Sequence, residues 1–153
     1  MTDLAIGTGT TLYAGFWRRF IALIIDFIVI SITQAILGGI IGFVIGITGN
    51  APGGELPAGV VGFLYVLGFV IQWLYFALME SGSGQATLGK MALSIRVTDL
   101  EGQRIGFGRA TGRYFGKLIS SLILCIGYMM AGWTQKKQAL HDMMAGTLVV
   151  RSL

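Results

Sequence analysis

Hydrophobic residues in this chain cluster in three long runs, and charged positions fall almost entirely in the stretches between them. From Phe20 to Ile47 the only charge is Asp26, and from Ala58 to Met79 there is none. A helix needs ~20 apolar residues to cross a bilayer, so both runs predict transmembrane helices. The first has length to spare, enough for a tilt or for a bend near Gly38-Gly39. Thr48 to Pro57, rich in Gly, Pro and Asn and without Lys or Arg, reads as an outer loop. The third run, Leu118 to Thr134, is marginal for one crossing. A single pass would put Lys136 and Lys137 outside, against the positive-inside rule. A re-entrant or broken helix turning near Cys125-Ile126-Gly127 keeps both ends on one side, provided protein or water satisfies the turn.

Between the second and third runs the pattern changes. Ser81 to Gly84 reads as a flexible hinge, followed by six basic residues, Lys90, Arg96, Arg104, Arg109, Arg113 and Lys117, which mark residues 80–117 as cytoplasmic. Within it, Leu93 to Thr98 alternates apolar and polar with period two and predicts a half-buried strand, closed by a turn at Asp99 to Gly102. The tail, residues 135–153, predicts a short helix and a second strand, Thr147 to Arg151. Laying Thr87-Leu88-Gly89-Lys90-Met91 over Ala139-Leu140-His141-Asp142-Met143 aligns Leu with Leu, Met with Met and Val97 with Val149. The halves therefore read as degenerate copies, and their strands as a small cytoplasmic β element.

Composition settles the solvent. Hydrophobic residues make up 54% of the 153 and charged residues 12%, with mean hydropathy +0.76. That charged share is about half of what a soluble domain carries. The expected fold class is mainly α, an integral membrane protein with two transmembrane helices, a third hydrophobic segment and a two-stranded β element, forming one domain over residues 1–153. Residues 1–19 form an interfacial lead-in, with Arg18 and Arg19 placing the N-terminus in the cytoplasm. Met1 to Tyr13 lacks the basic start of a signal peptide. The net charge of +4 sits beside apolar runs, where it meets anionic lipid headgroups rather than nucleic acid.

Candidate chemistry centres on Arg19 and Asp26. Seven residues apart, they share a helix face to within about 20° and differ in depth by roughly 10 Å. Thr33 and Gln34 extend the face into a polar stripe expected to meet protein or water, not lipid. Two readings stay open: an exchanging carboxylate at low dielectric, or a fixed ion pair with Arg19, Arg113 or Lys90 clamping Asp26. Gln72 either completes an ion path or makes an interhelical hydrogen bond. Gly38, Gly42 and Gly46 form a small-residue stripe for close helix packing, against Gly59 and Gly62 or against another copy. Asp142 is expected to cap a short helix and to accept from Lys90 or Arg113. One histidine, His141, and one cysteine, Cys125, exclude a metal cage, and no cofactor is expected. No nucleophile–base pair or phosphate loop supports an enzyme, since Gly106 to Gly108 is too bare for the latter.

The order of these features resembles the RDD family of bacterial membrane proteins. The resemblance rests on Arg19 with Asp26, Thr87-Leu88-Gly89-Lys90 before a strand, Asp99-Leu100-Glu101-Gly102, Arg113, Leu140-His141-Asp142 and Ala145 to Val150, and it covers Tyr13 to Val150. It implies that Arg19, Asp26 and Asp142 are the arginine and two aspartates for which the family is named. It also implies a multi-pass protein of the bacterial inner membrane. Members are widely described as of unknown function, with suggestions of ligand transport and of monovalent cation/proton antiport. Two functions are therefore expected: proton exchange for small cations or solutes through an oligomer, or a non-transporting subunit of a larger membrane complex.

Overall fold

The computed structural model describes residues 13–48, 56–122 and 126–151. Most of the expected outer loop, the expected turn at Cys125, and residues 1–12 and 152–153 lie outside them. Helix α1 spans Phe16–Ile47 and α2 spans Ala58–Ser81, and among the described residues these two are long and apolar enough to cross a membrane. Helix α1 starts four residues before Phe20, because Trp17, Arg18 and Arg19 continue its first turn, and it runs unbroken through Gly38 and Gly39. Buried side chains in α1 stop at Ile30, and those in α2 begin at Phe76. Beyond those points Ile32, Ile36, Ile40, Phe43, Phe63 and Val66 are exposed, as suits chains solvated by lipid. The two helices touch little, and a cleft of about 570 Å³ opens between them, lined by Gln34, Leu37, Leu64, Gly68 and Gln72 among others.

Everything else gathers at the polar end. Helix α3 (Leu88–Ala92) leads into β1 (Ile95–Asp99), and α6 (Leu140–Ala145) leads into β2 (Thr147–Arg151). The strands pair antiparallel, with Val97 opposite Val149. The observed β1 starts two residues after the expected Leu93, because Ser94 at φ 52 still belongs to the turn out of α3. Both sheet edges are covered. Ala14 N–H donates to Val149 at 2.8 Å, and on the far side Val97 N–H donates to Gln85 at 2.7 Å while the Gln85 amide returns a bond to Val97 at 3.0 Å. Asp99 closes the next turn by accepting from the N–H groups of Glu101 (3.1 Å) and Gln103 (2.7 Å). Gly146, at φ 60, ends α6 with the left-handed residue that a helix C-terminus favours.

One element is new relative to the sequence pattern. Helix α4 (Phe107–Leu122) straddles the expected boundary between the basic segment and the third hydrophobic run. Its buried positions are Ala110, Arg113, Tyr114, Gly116, Lys117 and Ser120, a helical stripe carrying two cations, which an apolar-period search rejects. The third run is accordingly not one helix. Its start ends α4, and the described remainder forms α5 (Ile126–Met129) and a 3₁₀ turn at Met130–Gly132.

Candidate functional site: two buried carboxylate centres

Asp26 sits nearly three turns inside the polar end of α1 and is 1% exposed. The expected clamp by a cation does not form: among the described residues no Lys or Arg pairs with it. Its donors are neutral. Tyr75 Oη donates at 2.7 Å, Thr87 Oγ1 at 2.6 Å and the Gly89 backbone N–H at 2.8 Å. Tyr75 in turn accepts from Leu88 N–H at 3.1 Å, so one carboxylate ties α1 to α2 and to the start of α3. The backbones are close enough that a Cβ on Gly89 would lie 2.1 Å from the Ala22 carbonyl oxygen. Glycine is required here by space.

Arg19 turns away from Asp26. Its Nη1 pairs with Asp142, and its Nε donates to the Ala14 carbonyl at 2.9 Å. Seven residues separate Arg19 and Asp26 along one face, yet ten ångströms of depth allows each its own partner. Asp142 also takes Arg113, whose Nη2 lies 2.7 Å and Nε 2.8 Å away, and accepts from Ala139 N–H at 3.2 Å, the reach of an N3 carboxylate back to a helix start. Arg113 continues to Glu80 at 3.0 Å. Lys90, expected on Asp142 or Asp26, instead meets Glu80 at 2.5 Å, and Lys117 joins the same carboxylate at 3.0 Å with its Nζ over the Phe76 ring. The second centre is thus a chain, Arg19–Asp142–Arg113–Glu80, with two lysines on its last member.

Environment decides the charge states. Burial would raise the Asp142 carboxyl, but Arg113 and Arg19 outweigh it and hold it well below the ordinary carboxylate range. Burial likewise opposes charge on Arg113, and Asp142 with Glu80 more than restores it. Burial pushes Lys90 down to about 7 against the pull of Glu80, and pushes Lys117 down as well. Burial pushes His141 down to about 3, so it is a neutral ring packed on Tyr128, with Nδ1 3.4 Å from Ser120 Oγ.

The remaining expected residues fall outside both centres. Thr33 is exposed and bonds its own backbone at Val29, 2.9 Å away, so the polar stripe ends at Asp26. Gln34 donates across to the Gly68 carbonyl at 3.2 Å, the one interhelical bond of the outer halves among the described residues. Gln72 lines the cleft beside it. The glycines Gly38, Gly42, Gly46, Gly59 and Gly62 meet nothing within 4 Å where a Cβ would stand, so the stripe does not pack α1 on α2. Close approaches between elements are instead at Gly89, at Gly116 against His141, at Gly127 against Ser120 and at Gly68 against the Gln34 side chain. Glu80, Tyr75, Thr87 and Lys117 were missed. Glu80 carried a signal, since a carboxylate ending an apolar helix needs cations close by. Tyr75 and Thr87 carried none beyond their place near the polar end.

The family model for the RDD family matches residues 13–146. The uncharacterized protein YxaI of Bacillus subtilis (strain 168) is 35% identical over 146 residues, covering 90% of this chain and 96% of that protein. YteJ of the same strain, described as an uncharacterized membrane protein, is 31% identical over 151 residues, covering 92% and 82%. A proline-rich antigen of Mycobacterium leprae (strain TN) is 31% identical over 70 residues, 45% of this chain and 28% of its own. No solved structure matches the chain. With the family pattern running through both carboxylate centres and along nearly its whole length, the chain belongs to the RDD family.

Proposed function

We propose that this protein is a non-transporting membrane subunit, in which the buried charges brace a rigid polar base and the splayed apolar helices are the working surface. The observation that carries this reading is the saturation of Asp26. Three fixed donors, one from α2 and two from the start of α3, hold it at 2.6–2.8 Å, the arrangement of a structural brace. The base lies on the cytoplasmic face of the bacterial inner membrane, where its basic residues meet anionic headgroups, with the N-terminus inside. Above it, α1 and α2 diverge and leave both the cleft and the glycine stripe to a helix of another copy or of a larger complex. The broken third segment re-enters from the cytoplasmic side, which keeps Lys136 and Lys137 inside.

A second reading, exchange of protons for small cations through an oligomer, draws on the cleft lined by Gln34 and Gln72, farther from the polar end than Asp26. Proteoliposomes under an imposed sodium or potassium gradient separate the two, with Asp26→Asn as the comparison. The brace reading expects no cation-driven proton flux from either protein, and a loss of about 2 kcal/mol or more of stability in Asp26→Asn, from weakening hydrogen bonds to a charged acceptor. Cation-dependent flux in the native protein that vanishes in a folded Asp26→Asn would overturn it.

A further inference from the structure

Behind the ion-paired chain lies a cavity of about 60 Å³, walled by Asp26 and by four cations, Arg19, Lys90, Arg113 and Lys117. Roughly 10–15 Å³ suffices for one water, so this space holds several waters or one small anion. The carboxylates that neutralise those cations stand elsewhere: Glu80 and Asp142 pair with them but do not line the cavity. With Lys90 protonated, four cations face three carboxylates in the whole cluster, and His141 is neutral. While Lys90 keeps that proton, one positive charge is left over inside a buried network, where an unmatched charge is costly. An independent observation concerns Arg19, one of the wall residues. Arg19 Nη2 is buried and has no hydrogen-bond partner, although Nη1 and Nε of the same guanidinium are satisfied. A guanidinium N–H left buried and unbonded is rare, and an acceptor fits it.

We propose that the cavity binds one monovalent anion, with Arg19 Nη2 as the directed donor and the Lys90 and Lys117 ammoniums as the surrounding charge. A halide supplies this chemistry, and so does the phosphodiester of an anionic lipid. The wall residues Phe20 and Leu23 are 43% and 39% exposed on the apolar face of α1, the side from which a headgroup would enter. The proposal goes beyond the subunit reading and stands whether or not that reading holds. Binding should also strengthen on acidification from pH 8.5 to pH 6. Lys90, which faces Glu80 on α2 and Arg113 and Lys117 on α4, with Asp26 of α1 across the cavity, then carries its proton.

The test is thermal unfolding of the native full-length protein in zwitterionic detergent, titrated with sodium chloride against sodium gluconate at constant ionic strength. A parallel series adds phosphatidylglycerol against phosphatidylcholine. Saturable stabilisation by chloride assigns the site to a free halide. Saturable stabilisation by phosphatidylglycerol alone, with one lipid retained per chain in native mass spectrometry, assigns it to a headgroup. Arg19→Lys keeps a cation for Asp142 but removes the free donor, and should weaken the effective anion at least tenfold. Should that variant not fold, Lys117→Met, which removes the surplus charge from the side of α4, replaces it with the same expectation. No saturable response of the native protein to either anion leaves water as the occupant and overturns the proposal. So would an unchanged midpoint for the anion in whichever variant folds.

Discussion

Gly89 and Gly42 show how differently the same residue type is constrained along this chain. At Gly89 a methyl group would press on the Ala22 carbonyl and the Asp26 carboxylate, both held by hydrogen bonds that leave little room to yield. Gly89→Ala should therefore lower stability by about 2–3 kcal/mol, the cost of overpacking against backbone, as a fall in thermal midpoint in detergent. Gly42 faces open space, so Gly42→Ala should leave the same midpoint unchanged or raised. A loss at Gly42 equal to that at Gly89 would mean that the stripe is packed by another helix in detergent. Spacing alone made Gly38, Gly42 and Gly46 look like the contact. Nothing in the sequence separates Gly89 from them, because its constraint comes from a backbone over sixty residues away.

Helix α4 is the element that ties the polar base together, through Arg113 to Glu80 on α2 and to Asp142 on α6, and through Lys117 to Glu80. Removing one member strands the others. Arg113→Met should cost about 3–5 kcal/mol, because Asp142 and Glu80 lose a shared cation in a buried setting. Asp142→Asn in the same background should cost much less than it does in the native protein, and a double-mutant cycle by denaturant unfolding reads the coupling. Additive losses would show that the pair contributes nothing jointly. The same element explains why the region between the second and third runs was misdivided. Its buried face carries Arg113 and Lys117, so a search for an apolar stripe sees polar residues where the structure has its interior. By contrast α1, α2 and β2 follow directly from residue pattern, because lipid and a sheet core each impose a local rule on consecutive residues.

The molecule as a whole is divided into an apolar half with few internal contacts and a polar base that holds the fold, so its stability should follow the charge state of that base. His141 is neutral in the folded state down to about pH 3, whereas an unfolded histidine takes up a proton near 6.5. As pH falls below 6.5 the unfolded state binds a proton that the folded state refuses, and stability drops by at most about 1.4 kcal/mol per pH unit. The Asp142 carboxyl, held low when folded, contributes stability that is intact above its ordinary 3.8 and is lost only below it. Lys90, titrating about 7 when folded, is mostly protonated in both states below pH 6.5 and adds only a smaller slope of the same sign near the top of this range. Between pH 6.5 and 5 the slope of thermal midpoint with pH is therefore expected to belong mainly to His141, and His141→Gln should flatten it. An unchanged slope in that variant would place the titrating group elsewhere.

Length and apolarity along the chain are enough to establish two membrane-length helices, two short strands and a basic end, since each depends on neighbours in sequence and on solvent. Asp26, Asp142 and Arg19 could be singled out as buried or capping charges for the same reason: a charge within or beside an apolar run needs a partner. Which partner each takes was decided only by the tertiary structure. Asp26 finds a tyrosine, a threonine and a backbone N–H in place of the nearby arginine, Arg19 crosses to Asp142, and Lys90 goes to Glu80. Pairing within a few ångströms depends on how α3, α4 and α6 are docked against α1 and α2. That docking arises from packing between residues tens of positions apart, which no period in the sequence encodes.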